Sequence, residues 1–148
     1  MNSTSDLCYY EVSLLWNSVT RGTLNSTIIP DKIRVETSPE YQKDKKERWT
    51  PEHLFIASVS SCLMSAFLLV ADNSKLKFIS FESNAIGKIE KVDGRVVVTE
   101  ILLKPKLTIP STQKETKARR AIKMSEKTMA IANSVQTKIM IEPFITVQ

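Results

Sequence analysis

Thr50-Pro51-Glu52-His53-Leu54-Phe55-Ile56-Ala57-Ser58-Val59-Ser60-Ser61-Cys62-Leu63-Met64 opens the most apolar segment of the chain, which continues through Phe67, Leu68, Leu69 and Val70. It starts as helices start. Thr50 offers a capping hydroxyl, Pro51 lacks an N–H that the first turn would leave unused, and Glu52 sits near the positive end of the dipole. Beyond that point aliphatic residues occupy almost every side of the helix, with only small Ala and Ser between them. A helix over about 51–72 is predicted, wrapped by protein on most sides. Ser58, Ser60, Ser61 and Ser65 interrupt the aliphatics, so no membrane span is expected.

Outward from this helix the period changes from that of a helix to two. Tyr10, Val12, Leu14 and Trp16 alternate with Tyr9, Glu11, Ser13 and Leu15, which predicts a first strand over roughly 8–16. Arg21-Gly22 makes a turn, and short strands follow over 22–29 and 32–36, separated by Pro30-Asp31. The polar stretch 38–49, with Pro39 and a cluster of charges, has no periodicity and is predicted as a long loop. After the helix, strands over 77–89 and 95–107 are joined at Val92-Asp93-Gly94, whose Asp-Gly pair is a strong hairpin signal. Thr112 with Glu115 three positions later resembles a capping box and predicts a second helix over about 113–132, with Ala118, Ala121, Ile122, Ser125 and Met129 on one face. Residues 136–147 close the chain as a strand broken at Pro143. Strands interrupted by two helices predict an α+β fold rather than a parallel α/β sheet.

The chain has 148 residues, one domain by length, a net charge of +5, two cysteines and one histidine. Basic residues are mixed with acids, as in Lys43-Asp44-Lys45-Lys46-Glu47-Arg48, rather than gathered with aromatics into a stripe, so no nucleic-acid partner is expected. With His53 as the single histidine and no CxxC, neither a metal site nor a Cys-His or Ser-His dyad has its residues. No cofactor is expected. The first eight residues do not resemble a secretory signal, and the two cysteines fit a reducing cytoplasm without a disulfide.

The segment from Thr50 to Met64 is similar to the motif of the OsmC-like and organic hydroperoxide resistance family: Pro-Glu, an apolar pair, small residues, then a cysteine ten positions after the glutamate. The surrounding order agrees, with Trp16 and Arg21-Gly22 before the helix and Gly87-Lys88-Ile89-Glu90 after it. Ser125-Glu126-Lys127, Ile131-Ala132-Asn133-Ser134 and Ile141-Glu142-Pro143 extend the resemblance to the end. It implies a two-layer α+β fold over 1–148, with antiparallel sheets packed on two helices, and an intertwined homodimer whose two sites lie where the subunits meet. It also implies a reaction. A cysteine thiolate reduces a small-molecule hydroperoxide, a second cysteine closes a disulfide on the resulting sulfenic acid, and an external thiol reductant reopens it.

By that resemblance Cys62 is the attacking thiol, and Glu52 and Arg21 are its activating pair. The chemistry is reasonable, because only a thiolate is a useful nucleophile and a buried thiol resists ionisation unless a cation or donor offsets the desolvation. Arginine, always charged and carrying a fork of donors, suits that task. Glu52 lies ten residues from Cys62 on one helix, roughly 15 Å along the axis, so it cannot touch the sulfur of its own chain. The residues alone admit plainer roles as well: Cys62 as a packed core cysteine, Glu52 as a partner of the helix dipole, Arg21 as a turn residue. The sequence departs from the family pattern at Met129, which stands where the second cysteine should be. A thioether cannot close a disulfide. Two functions remain open: a one-cysteine peroxidase acting in oxidative stress defence and resolved by an external thiol, or a catalytically degenerate dimer that binds small hydrophobic molecules.

Overall fold

The structure, a computed structural model, describes residues 7–37 and 48–148. The expected loop over 38–49 falls mostly outside the described residues. The chain divides into two compact units, Met1–Pro51 and Glu52–Gln148.

In the first unit three strands, β1 (Ser13–Ser18), β2 (Arg21–Ser26) and β3 (Ile29–Glu36), form an antiparallel sheet in sequence order. The strand expected over 8–16 starts later, and residues 7–12 have no regular structure although they alternate. The turn expected at Pro30-Asp31 lies at Thr27-Ile28 instead. Pro30 is the second residue of β3, which is tolerable because its fixed φ suits an extended strand. Period two gives the sheet two unlike faces. Leu14, Trp16, Leu24, Ile33 and Val35 share one, together with Gly22, whose missing Cβ makes room for the Leu14 side chain. Ser13, Leu15, Asn17, Thr23, Asn25, Lys32 and Arg34 share the other. Trp49 adds an isolated parallel bridge to Val35.

The second unit holds the core. Helix α1 (Pro51–Asn73) lies against a four-stranded sheet of β4 (Ser80–Val92), β5 (Arg95–Ile109), β6 (Lys138–Ile141) and β7 (Phe144–Val147). Helix α2 (Glu115–Lys127) packs on the same sheet. The β4–β5 hairpin turns at Asp93-Gly94, both at positive φ (49° and 76°), as the Asp-Gly pair predicts. Along β5 the burial alternates: Ile101, Leu103, Pro105, Leu107 and Ile109 are buried and their neighbours less so. Both C-terminal strands run parallel to β5, which the sequence reading did not anticipate; the helical segment between β5 and β6 supplies the crossover that a parallel pair needs. Pro105 sits at the gap where β6 ends opposite Leu103 and β7 begins opposite Lys106, so the strand accommodates a residue that cannot donate to a ladder.

The expected helix over 113–132 is two pieces. The α2 helix starts at Glu115 behind Lys114, with no side-chain cap, so the Thr112 capping box does not form; Glu115 instead pairs with Arg119 one turn on. It stops at Lys127, and a short helix α3 (Ala130–Asn133) follows with Met129 as its extended N-cap residue. By length and composition alone α1 is apolar enough to cross a membrane, with 23 residues and a mean hydropathy of 2.2, a test that the core helix of a soluble protein also passes, here with Ser58, Ser61 and Ser65 along it. Their hydroxyls are absorbed within the helix: Ser58 donates to Phe55 O at 2.6 Å, Ser61 to Ser58 O at 3.1 Å and Ser65 to Ser61 O at 3.2 Å. Val59, Leu63, Ala66, Phe67, Val70 and Ala71 nevertheless form a buried stripe at helical spacing, the use a core helix makes of its apolar side.

Candidate functional site

Cys62 flanks that stripe. Its neighbours at i−3, i+1 and i+4 are Val59, Leu63 and Ala66, all buried, while Ser61, Met64 and Ser65 on the far side are exposed. The thiol is half-buried, free of any disulfide, and packed against a cluster formed by Val59, Leu63, Ala66, Ile101, Leu103 and Met129. Two of these come from β5, so the hairpin register and the helix stripe together fix what lies beneath the sulfur.

Met129 belongs to the same cluster and is 0 % exposed. The structure therefore brings Cys62 and Met129, where the resemblance led to the expectation of a second cysteine, into one cluster, although 67 positions separate them in the chain. Met129 reaches it from the break between α2 and α3 rather than from within a helix. There a flexible thioether fills the volume, a role methionine performs well.

The other two expected site residues are placed separately. Glu52 is half-buried in the first turn of α1, where a carboxylate is favoured by the helix dipole. Arg21 opens β2 in the first unit, and its Nε donates to Glu36 Oε1 at 2.8 Å; the arginine side chain is 49 % exposed and the glutamate 8 %. Register explains the pair, since Arg21 and Glu36 are direct partners across β2 and β3. Glu36 was not singled out from sequence. The available signal was a carboxylate ending an alternating strand, which has meaning only once the register is known. Cys8 is exposed and precedes β1.

Gly87 is a further positional requirement. A Cβ there would collide with the side chain of Ile56, six residues before Cys62 on α1, so any larger residue in β4 at this point requires that side chain to move. Among the described residues no group of three His, Cys, Asp or Glu side chains is placed to hold a metal ion.

The sequence profile of the family described as OsmC-like protein matches residues 43–143, which span α1, the hairpin, α2 and the end of β6. The chain belongs to the OsmC-like family. Its fold agrees. An OsmC-like protein of unknown function from Vibrio cholerae superposes with a TM-score of 0.84 at 23 % identity, covering 93 % of this chain and 99 % of that one. An organic hydroperoxide resistance protein from Elizabethkingia anophelis gives 0.73 at 18 % identity, covering 98 % and 100 %. The organic hydroperoxide resistance protein OhrB of Bacillus subtilis gives 0.69 at 14 %, covering 93 % and 98 %. At these identities the likeness is one of OsmC-like fold. Comparison with curated protein sequences gives no match.

Proposed function

We propose that this OsmC-like protein is a one-cysteine thiol peroxidase that reduces organic or hydrogen peroxide in oxidative stress defence, acting as a cytoplasmic homodimer. The observation that carries the reading is the setting of Cys62: a half-buried sulfur, free of any disulfide, at the border between a packed apolar cluster and the exposed side of α1. An apolar hydroperoxide finds carbon on one side of that sulfur and an exit for its alcohol on the other. The thiolate attacks the terminal peroxide oxygen, the O–O bond breaks, and the departing alkoxide takes a proton to leave as alcohol; Cys62 is left as sulfenic acid. A first external thiol displaces water to form a mixed disulfide. A second releases Cys62 and leaves as the oxidised pair.

In this reading Arg21 and Glu52 activate the sulfur as a pair, the guanidinium favouring the thiolate and the carboxylate holding the guanidinium. The exposed aliphatics Met64, Leu68 and Leu69 on α1 are consistent with a dimer that covers them. Dithiothreitol or dihydrolipoamide, each molecule supplying both thiols for one cumene hydroperoxide, is expected to support turnover that Cys62→Ser abolishes. Equal rates for the variant and the wild type would end the proposal. Mass spectrometry of Cys62 after one equivalent of hydroperoxide is expected to show one added oxygen.

The full burial of Met129 favours a second reading, a catalytically degenerate family member that binds small hydrophobic molecules. It predicts saturable binding of apolar ligands with no sulfenic acid formed. The same mass measurement separates the two.

A further inference from the structure

Independently of Cys62, we infer that the first unit carries a binding site for a small organic oxyanion, a phosphate or carboxylate ester-sized group bearing an aromatic or apolar substituent. The site is a depression of about 240 Å³ lined by Lys32, Ile33, Arg34, Arg48 and Trp49. That is on the order of eight water volumes, enough for a headgroup with a small substituent.

Local structure explains why the three cations converge. Lys32 and Arg34 are two apart on β3 and therefore project from one face. The parallel bridge between Trp49 and Val35, with Glu36 N donating to Trp49 O at 2.9 Å, lays residues 48–49 along the open edge of β3 and brings Arg48 to the same rim. Lys32 and Arg34 also border a wider groove of about 670 Å³ on the sheet face, where Ser13, Asn17, Thr23 and Asn25 supply hydroxyls and amides.

Charge decides the class of ligand. Among the described residues no carboxylate lies within ion-pair distance of Lys32, Arg34 or Arg48. Arg21, on the neighbouring strand of the same sheet, is by contrast paired with Glu36. Three like charges around one concavity repel one another and raise the local concentration of anions. Two of them are guanidiniums, whose planar forks match the oxygens of phosphate and carboxylate. Trp49, half-exposed in the wall, offers a ring surface to the substituent.

Phenyl phosphate is the probe, with inorganic phosphate and benzyl alcohol as the charge-only and ring-only controls. Binding is followed on the Trp49 indole N–H resonance, assigned through Trp49→Phe, in the full chain. Phenyl phosphate is expected to shift that resonance saturably, more tightly than either control and less tightly as salt rises. Arg34→Ala and Arg48→Ala are each expected to weaken it about tenfold, the scale of one lost charge-assisted contact. Cys62→Ser is expected to leave it unchanged. The inference is overturned if phenyl phosphate causes no saturable shift, if the arginine variants bind as wild type does, or if benzyl alcohol binds equally well. Retention of single-stranded DNA without binding of phenyl phosphate overturns it in favour of a nucleic-acid surface.

Discussion

The two units use the same local rule and reach opposite outcomes. In β5 the alternating residues Ile101, Leu103, Leu107 and Ile109 are buried beneath two helices; in β1 and β2 an equally regular alternation leaves Leu14 66 % and Trp16 71 % exposed. Period two makes a strand with two faces, but a face becomes a core only where a second layer meets it. The second unit supplies that layer from within, through α1 and α2. A three-stranded sheet with an apolar face gains comparable stability only when another surface covers it.

That contrast is most directly tested by truncation. Phe67→Ala, which removes a fully buried ring stacked on Phe81 at 4.8 Å and edge-on to Phe78 at 5.2 Å, is expected to lower the unfolding free energy in urea by about 3–5 kcal/mol. Leu14→Ala is expected to cost under about 1 kcal/mol at high dilution. A Leu14 cost that grows with protein concentration would mean that a second copy covers the first sheet. Gly87→Val probes a close approach of β4 to the Ile56 side chain in the second unit. Displacing Ile56 is expected to cost about 1–3 kcal/mol, read as a lower thermal midpoint.

The turns extend the comparison. Asp93-Gly94 takes positive φ with residues suited to it, whereas the β1–β2 turn places Val19, a β-branched residue, at φ 43°. Val19→Gly is therefore expected to stabilise the protein by about 1 kcal/mol, the cost of a left-handed non-glycine residue, whereas Gly94→Val is expected to destabilise it. The Arg21–Glu36 pair comes next. Since the arginine is half-exposed, a double-mutant cycle with Arg21→Met and Glu36→Gln is expected to give a coupling of only about 1 kcal/mol.

The smallest effect expected is electrostatic and lies at the exposed hairpin. Glu90 accepts from Thr99 Oγ1 at 2.5 Å and pairs with Lys88 at 3.0 Å. Its carboxyl titrates below the usual glutamate range, chiefly through the Thr99 hydrogen bond and then through Lys88; Lys88 titrates above the usual lysine range, chiefly through its hydrogen bond to Glu90. A lowered carboxylate stabilises the fold above its unfolded value, and that contribution disappears as pH falls through the folded one. A raised lysine stabilises below its unfolded value and loses this as pH rises through the folded one. Carbon-detected NMR titration of Glu90 is expected to show the low midpoint, and Thr99→Val to move it back towards normal.

Much of the fold was legible because its signals are local. The cap, proline and carboxylate at Thr50-Pro51-Glu52 place α1, and Asp93-Gly94 places the hairpin. The motif running to Cys62 pointed to the OsmC-like family. The misjudged elements depended on distant partners. Residues 7–12 alternate without joining the sheet, α2 breaks before Met129 so that its side chain can enter the core, and Thr112 does not cap the helix it precedes.

The sequence by itself determined that a long apolar helix follows Thr50-Pro51-Glu52, that a hairpin turns at Asp93-Gly94, and that position 129 holds a thioether and not a thiol, because each is a property of residue type and short-range spacing. The tertiary structure decided that Met129 packs in the same cluster as Cys62, that β6 and β7 run parallel to β5, that Glu36 rather than another carboxylate engages Arg21, and that Lys32, Arg34 and Arg48 line one depression. These are matters of register and crossover. They follow from how layers bury their faces against each other, and no window along the chain contains that information.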